Sequence, residues 1–376
     1  MKRNLLLFGT LLVCIILFSA CGSQVAEESD MDSDEITDGI VSGGGEDSGD
    51  SGDSGDSICL QCWTQKSPMI LPRMDHTSST ANGKIYVIGG YTFWGNTAMK
   101  SIEEFDPSTD TWTNCGTPAP GNGCSGLSTA RGNHTASVVN GKIYVIGGDS
   151  SQTVEEYDPV SSIWTNCGSQ APGNNCQPLP VNLTNLSASV FDGKIYLIGG
   201  NENGMHEGSN TTIEYDPQQN LWVTRTDMPT PRSWTTSCVL EDKIWVIGGY
   251  ETLWCDGDIS GVMDVVELYD PIGDYWLNGT NLPYSASQIV CSKSNLTNSI
   301  ILFGGRHQYD PLKRNEITKW NSISGEWNAQ ETMPKAISGH SVSTFNNKFY
   351  IFGGQIPSTG GNATNVVWQY DMSFME

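Results

Sequence analysis

Three sets of residues recur in this chain at matched places, and each set suggests a chemistry. His76, His134 and His340 form one set; Arg73, Arg131 and Arg232 form another, two of them three residues before His76 and His134 and the third at the same offset before Thr235. Imidazoles brought together could ligate a metal, and guanidinium groups could hold an anion. Leu186, Thr235 and Ile289 stand where the other histidines would be, so a structural role is expected for the histidines and no metal or cofactor site is assigned. For the arginines, bonds between neighbouring units are expected, with one or two free to meet a ligand. The third set is Cys115/Cys124 and Cys167/Cys176, equally spaced in NCGTPAPGNGC and NCGSQAPGNNC. Pro and Gly let each loop turn back, which predicts two loop-closing disulfides, each contributing about 2–3 kcal/mol. Cys59-x-x-Cys62 has redox or zinc spacing, but it falls in an expected strand, where residues three apart stand roughly 10 Å from each other. Among the rest, a Cys255–Cys291 bridge and a Cys238 core thiol are expected. No nucleophile motif, phosphate loop or zinc spacing is present, so no catalytic residue is assigned.

These residues are carried on a repeat. Glycine doublets at Gly89–Gly90, Gly147–Gly148, Gly199–Gly200, Gly248–Gly249, Gly304–Gly305 and Gly353–Gly354 recur at steps of 58, 52, 49, 56 and 49 residues. Each closes a short apolar run such as KIYVIGG. In the second unit, His134–Val139 reads as a strand and Asn140-Gly141 as a type I′ hairpin turn. Lys142–Ile146 is the next strand, a third ends at Tyr157-Asp158-Pro159, and a fourth carries Trp164. The grammar is four antiparallel strands per unit, with no helix in the fold.

The doublet, the downstream Tyr and the Trp beyond it resemble the Kelch repeat, over about residues 58–372. The resemblance implies an all-β, six-bladed Kelch β-propeller in which the first strand of each unit lines a central channel and the Trp strand lies outermost. Trp112, Trp164, Trp222, Trp276 and Trp327 follow the first five doublets, none follows the sixth, and Trp63 precedes the first. Ile58–Gln65 is therefore expected to supply the outer strand of the last blade, closing the ring without an unpaired edge.

Strand order places the loops between second and third strands, and those between blades, on one face, with the tight turns on the other. A rigid scaffold presenting many loops on one rim is a binding surface. Its candidate ligand contacts are Tyr91, Trp94, Glu202, His206, Tyr250, Trp254, Arg306 and His307, with Arg131 and Arg232 at the channel mouth. Aromatic faces beside carboxylates and amides suit a sugar or a protein epitope. Two enzyme families share the resemblance. Copper-dependent galactose oxidase needs a Tyr–Cys cross-link, a second Tyr and His ligands, a set that cannot be placed among five His. Sialate mutarotases use an acid and an arginine on the loop side, which Glu202 or Glu251 with Arg131, Arg232 or Arg306 would imitate without a shared local motif.

The amino terminus sets the location. Lys2 and Arg3 precede an apolar stretch from Leu5 to Phe18, too short for a membrane span, and Phe18-Ser19-Ala20-Cys21 resembles a bacterial lipoprotein signal cut before a lipidated Cys21. Residues 1–20 are thus the expected signal, 21–57 an acidic Ser-Gly-Asp tether and 58–376 the propeller. Without Lys2, Arg3 and the twelve acidic residues of the tether, the net charge of −23 becomes −13, which argues against nucleic acid as a partner. The expectation is an exported module, lipid-anchored in a bacterial cell envelope, that binds a protein or carbohydrate through its loop-rich face. The alternative is a mutarotase-like sugar enzyme.

Overall fold

Ile143, Tyr144, Val145 and Ile146 are all buried, as a strand must be when its sheet is covered on both faces. Every unit repeats this pattern in its second strand, so each sheet needs a neighbour on either side. The computed structural model describes residues 62–93, 97–115, 126–149, 152–166, 177–205, 207–251, 261–307, 315–356 and 362–375. These form six four-stranded antiparallel sheets and two short two-stranded ladders.

From the axis outwards, blade 1 is Thr77–Ala81, Lys84–Ile88, Ile102–Asp106 and Thr111–Asn114. Blade 2 is Thr135–Val139, Lys142–Ile146, Val154–Asp158 and Ile163–Asn166. Blade 3 is Ser187–Phe191, Lys194–Ile198, Thr212–Asp216 and Leu221–Thr224. Blade 4 is Thr236–Leu240, Lys243–Ile247, Val266–Asp270 and Tyr275–Asn278. Blade 5 is Val290–Ser294, Ser299–Phe303, Ile317–Asn321 and Glu326–Ala329. Blade 6 is Ser341–Phe345, Lys348–Phe352, Val367–Asp371 and, from the other end of the chain, Trp63–Gln65. The expected closure is therefore observed.

Six apolar clusters fill the six seams, and alternate residues of one strand serve opposite neighbours. Tyr86 and Ile88 pack with Ile143 and Val145 of blade 2, whereas Ile85 and Val87 pack with Tyr350 and Phe352 of blade 6. At the glycine doublet the second strand meets, backbone to backbone, the strap of the next blade and the strap of its own. A Cβ on Gly89 would lie 2.5 Å from the Arg131 carbonyl oxygen, and one on Gly90 would lie 2.6 Å from that of Met74. Both residues also hold positive φ, 60° and 91°, so glycine is required twice over.

At the rim of each blade the Trp packs on an aromatic ring of the third strand, from Phe105–Trp112 to Trp320–Trp327, and Trp63–Tyr370 does the same in blade 6. Among the described residues, four of the indoles also donate to the carbonyl of a residue leaving the preceding blade, as Trp112 does to Ser67 at 2.8 Å. The Asp-Pro turns share one Asx bond, and Asn321 and Asp371, which lack the proline, make it too.

The structure corrects one cysteine pairing. Cys291 is bonded to Cys238, not to Cys255, with the two Cα atoms 6.0 Å apart. The inner strands of successive blades meet at a fixed offset, seen in the hydrogen bonds Ser189–Ser237 (2.9 Å) and Ser343–Ser78 (2.8 Å). Cys238 and Cys291 hold the same two positions at the seam of blades 4 and 5, so a covalent bond replaces the hydroxyl pair there. Cys62 and Cys115 each take part in a disulfide as well. Cys124, Cys167, Cys176 and Cys255 lie outside the described residues, as do Cys21 and the expected signal and tether.

Candidate functional site at the channel mouth

The residue two positions before each inner strand turns the chain from the loop face into the channel, and that turn takes positive φ. Asp75 (52°), Asn133 (54°), Asn185 (54°), Trp234 (53°), Gln288 (51°) and Gly339 (63°) are these residues, one per blade. Their backbones join head to tail. Asp75 donates its N–H to Gly339 (2.8 Å), Asn133 to Asp75 (3.0 Å), Asn185 to Asn133 (3.0 Å), Trp234 to Asn185 (2.9 Å) and Gln288 to Trp234 (3.2 Å). The ring frames a cavity of about 120 Å3 whose lining includes all six. Beneath it the inner strands enclose a second cavity of about 250 Å3.

A second tier sits at the residue after each glycine doublet: Tyr91, Asp149, Asn201, Tyr250, Arg306 and Gln355. The Tyr91 hydroxyl donates to Asp149, whose other oxygen accepts from the Gly132 N–H at 2.7 Å. Asn201 accepts from Asn185 Nδ2 at 2.8 Å. Burial pushes the Asp75 carboxyl up to about 7, with Arg306 opposing the rise and Asp149 adding to it. Arg306 is partly exposed, and among the described residues its guanidinium makes no hydrogen bond or ion pair. A carboxyl group titrating near neutrality and a cation thus share one mouth.

The histidines lie at the top of the channel wall. Ser341 Oγ lies 2.9 Å from His76 Nε2, and Thr77 Oγ1 lies 3.0 Å from His134 Nε2, each hydroxyl coming from the preceding blade. Val290 stands at the matching place for His340, whose Nε2 has no partner. Burial holds His134 and His340 down to about 3 and His76 well below its ordinary value, so all three are neutral. Among the described residues, no three His, Cys, Asp or Glu side chains are close enough to hold a metal ion.

The arginines are staples within their own blades. Arg73–Glu103 (2.7 Å), Arg131–Glu155 (2.6 Å) and Arg232–Glu267 (2.8 Å) are ion pairs buried from solvent. Glu103 also accepts the N–H groups of Ile70 and Leu71, and Glu155 those of Ser128 and Thr129, so each pair pins the strap that enters its blade. This places Arg131 and Arg232 away from any ligand arriving from solvent. The sequence carries the signal for these partners. The three units with Arg have Glu103, Glu155 and Glu267, while the other three have Leu183, Ala286 and Ile337 with Ile213, Thr318 and Trp368.

Of the other candidate contacts, Tyr91 is partly exposed on the rim. Glu202 is held by hydrogen bonds from Ser209 (2.5 Å) and Thr211. Tyr250 is buried, at 2 % exposure. His307 lies in a short strand paired with Ala286. Trp94, His206 and Trp254 fall outside the described residues. The reading from sequence missed the whole mouth ring, together with Asp149, Asn201 and Gln355; aligning the units on their doublets would have shown both tiers.

Comparison with known proteins agrees with this architecture. The Attractin/LZTR1 β-propeller family matches residues 60–309, and the Kelch motif matches residues 336–374. Spermatocyte protein spe-26 of Caenorhabditis elegans is 28% identical over 69% of this chain and 41% of its own length. Beta-scruin of Limulus polyphemus is 28% identical over 66% of this chain and 27% of its own. The chain thus spans well under half the length of these relatives. The solved structure of YjhT shares the fold, with a TM-score of 0.61 and 18% identity over 80% of this chain and 95% of that one. Kelch propellers are protein-interaction modules as a type. With the family matched along most of its length and all six blades present, the chain belongs to the Attractin/LZTR1 β-propeller family of Kelch-type propellers.

Proposed function

We propose that this propeller is exported, carries lipid on Cys21 in a bacterial cell envelope, and uses its loop-bearing face to bind a protein or carbohydrate partner. The observation that carries this is the composition of that face. Phe93 is 47 % exposed beside Tyr91, on a loop tied to the neighbouring blade by the pairing of Phe93 with Asn362. An aromatic side chain held in solvent by a braced loop suits recognition, since little ordering remains to oppose binding. The signal-like residues before Cys21 and the acidic stretch after it support anchoring and display.

Glycan-array and pull-down experiments on the full chain test the binding role, with Phe93→Ala as the control. Loss of a partner in the variant is expected; an unchanged set of partners would count against the loop face. Metabolic labelling with a radioactive fatty acid tests the anchor, which Cys21→Ser should abolish.

One observation favours a second assignment, a sugar-ring mutarotase. Asp75 titrates near neutrality beside Arg306, and such an acid is well matched to proton transfer at neutral pH. NMR exchange between sugar anomers, measured with and without enzyme, would reveal turnover, and Asp75→Asn should remove it.

A further inference from the structure

Trp234 is the anomaly of the channel mouth. Of the six ring positions, four hold Asp, Asn or Gly, the residues that accept positive φ most readily. Trp234 holds the same conformation at 53° with a bulky side chain, at a cost on the order of 1 kcal/mol or more. Asparagine serves this backbone without strain in blades 2 and 3, so the fold itself does not call for the indole. Trp234 lines the cavity.

Two of the ring's asparagines offer acceptors. Asn133 Nδ2 donates to the Tyr91 hydroxyl at 3.4 Å, and Asn185 Nδ2 donates to Asn201 at 2.8 Å. Their Oδ1 atoms are buried and have no hydrogen-bond partner in the protein. Two orphaned acceptors on neighbouring ring positions favour a ligand rich in donors. The Asp75 carboxyl reaches the same space, since a Cβ on Gly339 would lie 2.6 Å from its Oδ1. A cationic side chain would also donate, but Asp149 is already engaged by Tyr91 and Gly132 and the Arg306 charge already acts on Asp75, which leaves hydroxyl groups as the better match.

We propose that the channel mouth binds a single neutral sugar ring, with Trp234 as the stacking face and Asn133, Asn185 and Asp75 as acceptors for its hydroxyl protons. This deepens the loop-face assignment, on which it rests, by naming the pocket and the ligand class.

The test is saturation-transfer NMR and calorimetry on the full chain. The probes are glucose, galactose, mannose, N-acetylglucosamine and N-acetylgalactosamine, with Nα-acetyl-lysinamide as the cationic alternative. Saturable binding of at least one sugar is expected. Trp234→Asn should weaken it at least tenfold while leaving the thermal midpoint unchanged or higher, because asparagine relieves the strained backbone. Asn185→Ala should weaken it in the same direction. Absence of binding by every sugar, equal binding by Trp234→Asn, or binding of the lysine amide alone would each overturn the proposal. A glycan or protein partner retained by Trp234→Asn but lost in Phe93→Ala would leave the loop face standing and remove only this pocket.

Discussion

Trp63 and Tyr370 stand near opposite ends of the chain, yet they face each other across an antiparallel pair with ring centroids 4.8 Å apart. The contact repeats the Trp–aromatic pair of the other five blades, so the ring closes by the same packing that builds each blade. Trp63→Ala should cost about 3–5 kcal/mol, the usual penalty for truncating a buried Trp. Denaturant unfolding would measure it, and hydrogen exchange should show blade 6 opening first.

The buried staples make a sharper prediction. Arg131→Leu alone leaves Glu155 buried without its cation and should destabilise by about 3–5 kcal/mol. Adding Glu155→Ile should recover most of the loss, because Leu183 and Ile213 already fill these two positions in blade 3. Chemical denaturation of both variants checks the pair, and a double variant no more stable than the single one would contradict it.

Cys238–Cys291 closes a loop across a sequence separation of 53 residues. The chain-entropy relation gives about 4 kcal/mol for a loop of this size. Peptide mapping without reductant should recover Cys238 and Cys291 in one cross-linked species. Cys291→Ser should lower the thermal midpoint, whereas Cys255→Ser should leave this cross-link intact.

Acid should destabilise the fold in a definite window. His134 and His340 titrate at about 3 when folded, and burial holds His76 well below its ordinary value, against about 6.5 for an unfolded histidine. Each takes up a proton on unfolding between those values, so their contribution is complete above pH 6.5 and shrinks as pH falls. Asp75 has the opposite sign. Its folded value of about 7 lies above the ordinary carboxylate range, so its contribution is complete below about pH 4 and is lost as pH rises towards 7. Three proton uptakes outweigh one release, and net stability should fall by on the order of 2 kcal/mol per unit between pH 6 and 5. Urea midpoints at pH 7.5, 6 and 5 test this, and Asp75→Asn should steepen the decline.

Much of the architecture is legible because it is local and repeated. The doublets, the Trp positions and the turn residues each do the same work six times, and the missing sixth Trp pointed to Trp63. What escaped notice was relational. Nothing near Cys238 identifies Cys291 as its partner; only the offset between neighbouring inner strands does, and Ser189–Ser237 and Ser343–Ser78 display it. Arg131 and Arg232 likewise look like ligand contacts until the carboxylates they hold are seen. The mouth ring was missed because backbone conformation defines it, and its side chains differ from blade to blade.

The turn face supplies the control for the most direct test of recognition. It carries exposed apolar side chains of its own, with Ile323 at 97 % and Ile272 at 79 % exposure, so hydrophobic surface alone does not single out the loop face. Partner binding by the full chain should be compared among the wild type, a loop-face variant with Phe93→Ala, and a turn-face variant with Ile272→Ser and Ile323→Ser. Loss of at least tenfold in the loop-face variant with full binding in the turn-face variant is the predicted result. The reverse pattern would contradict recognition through the loops.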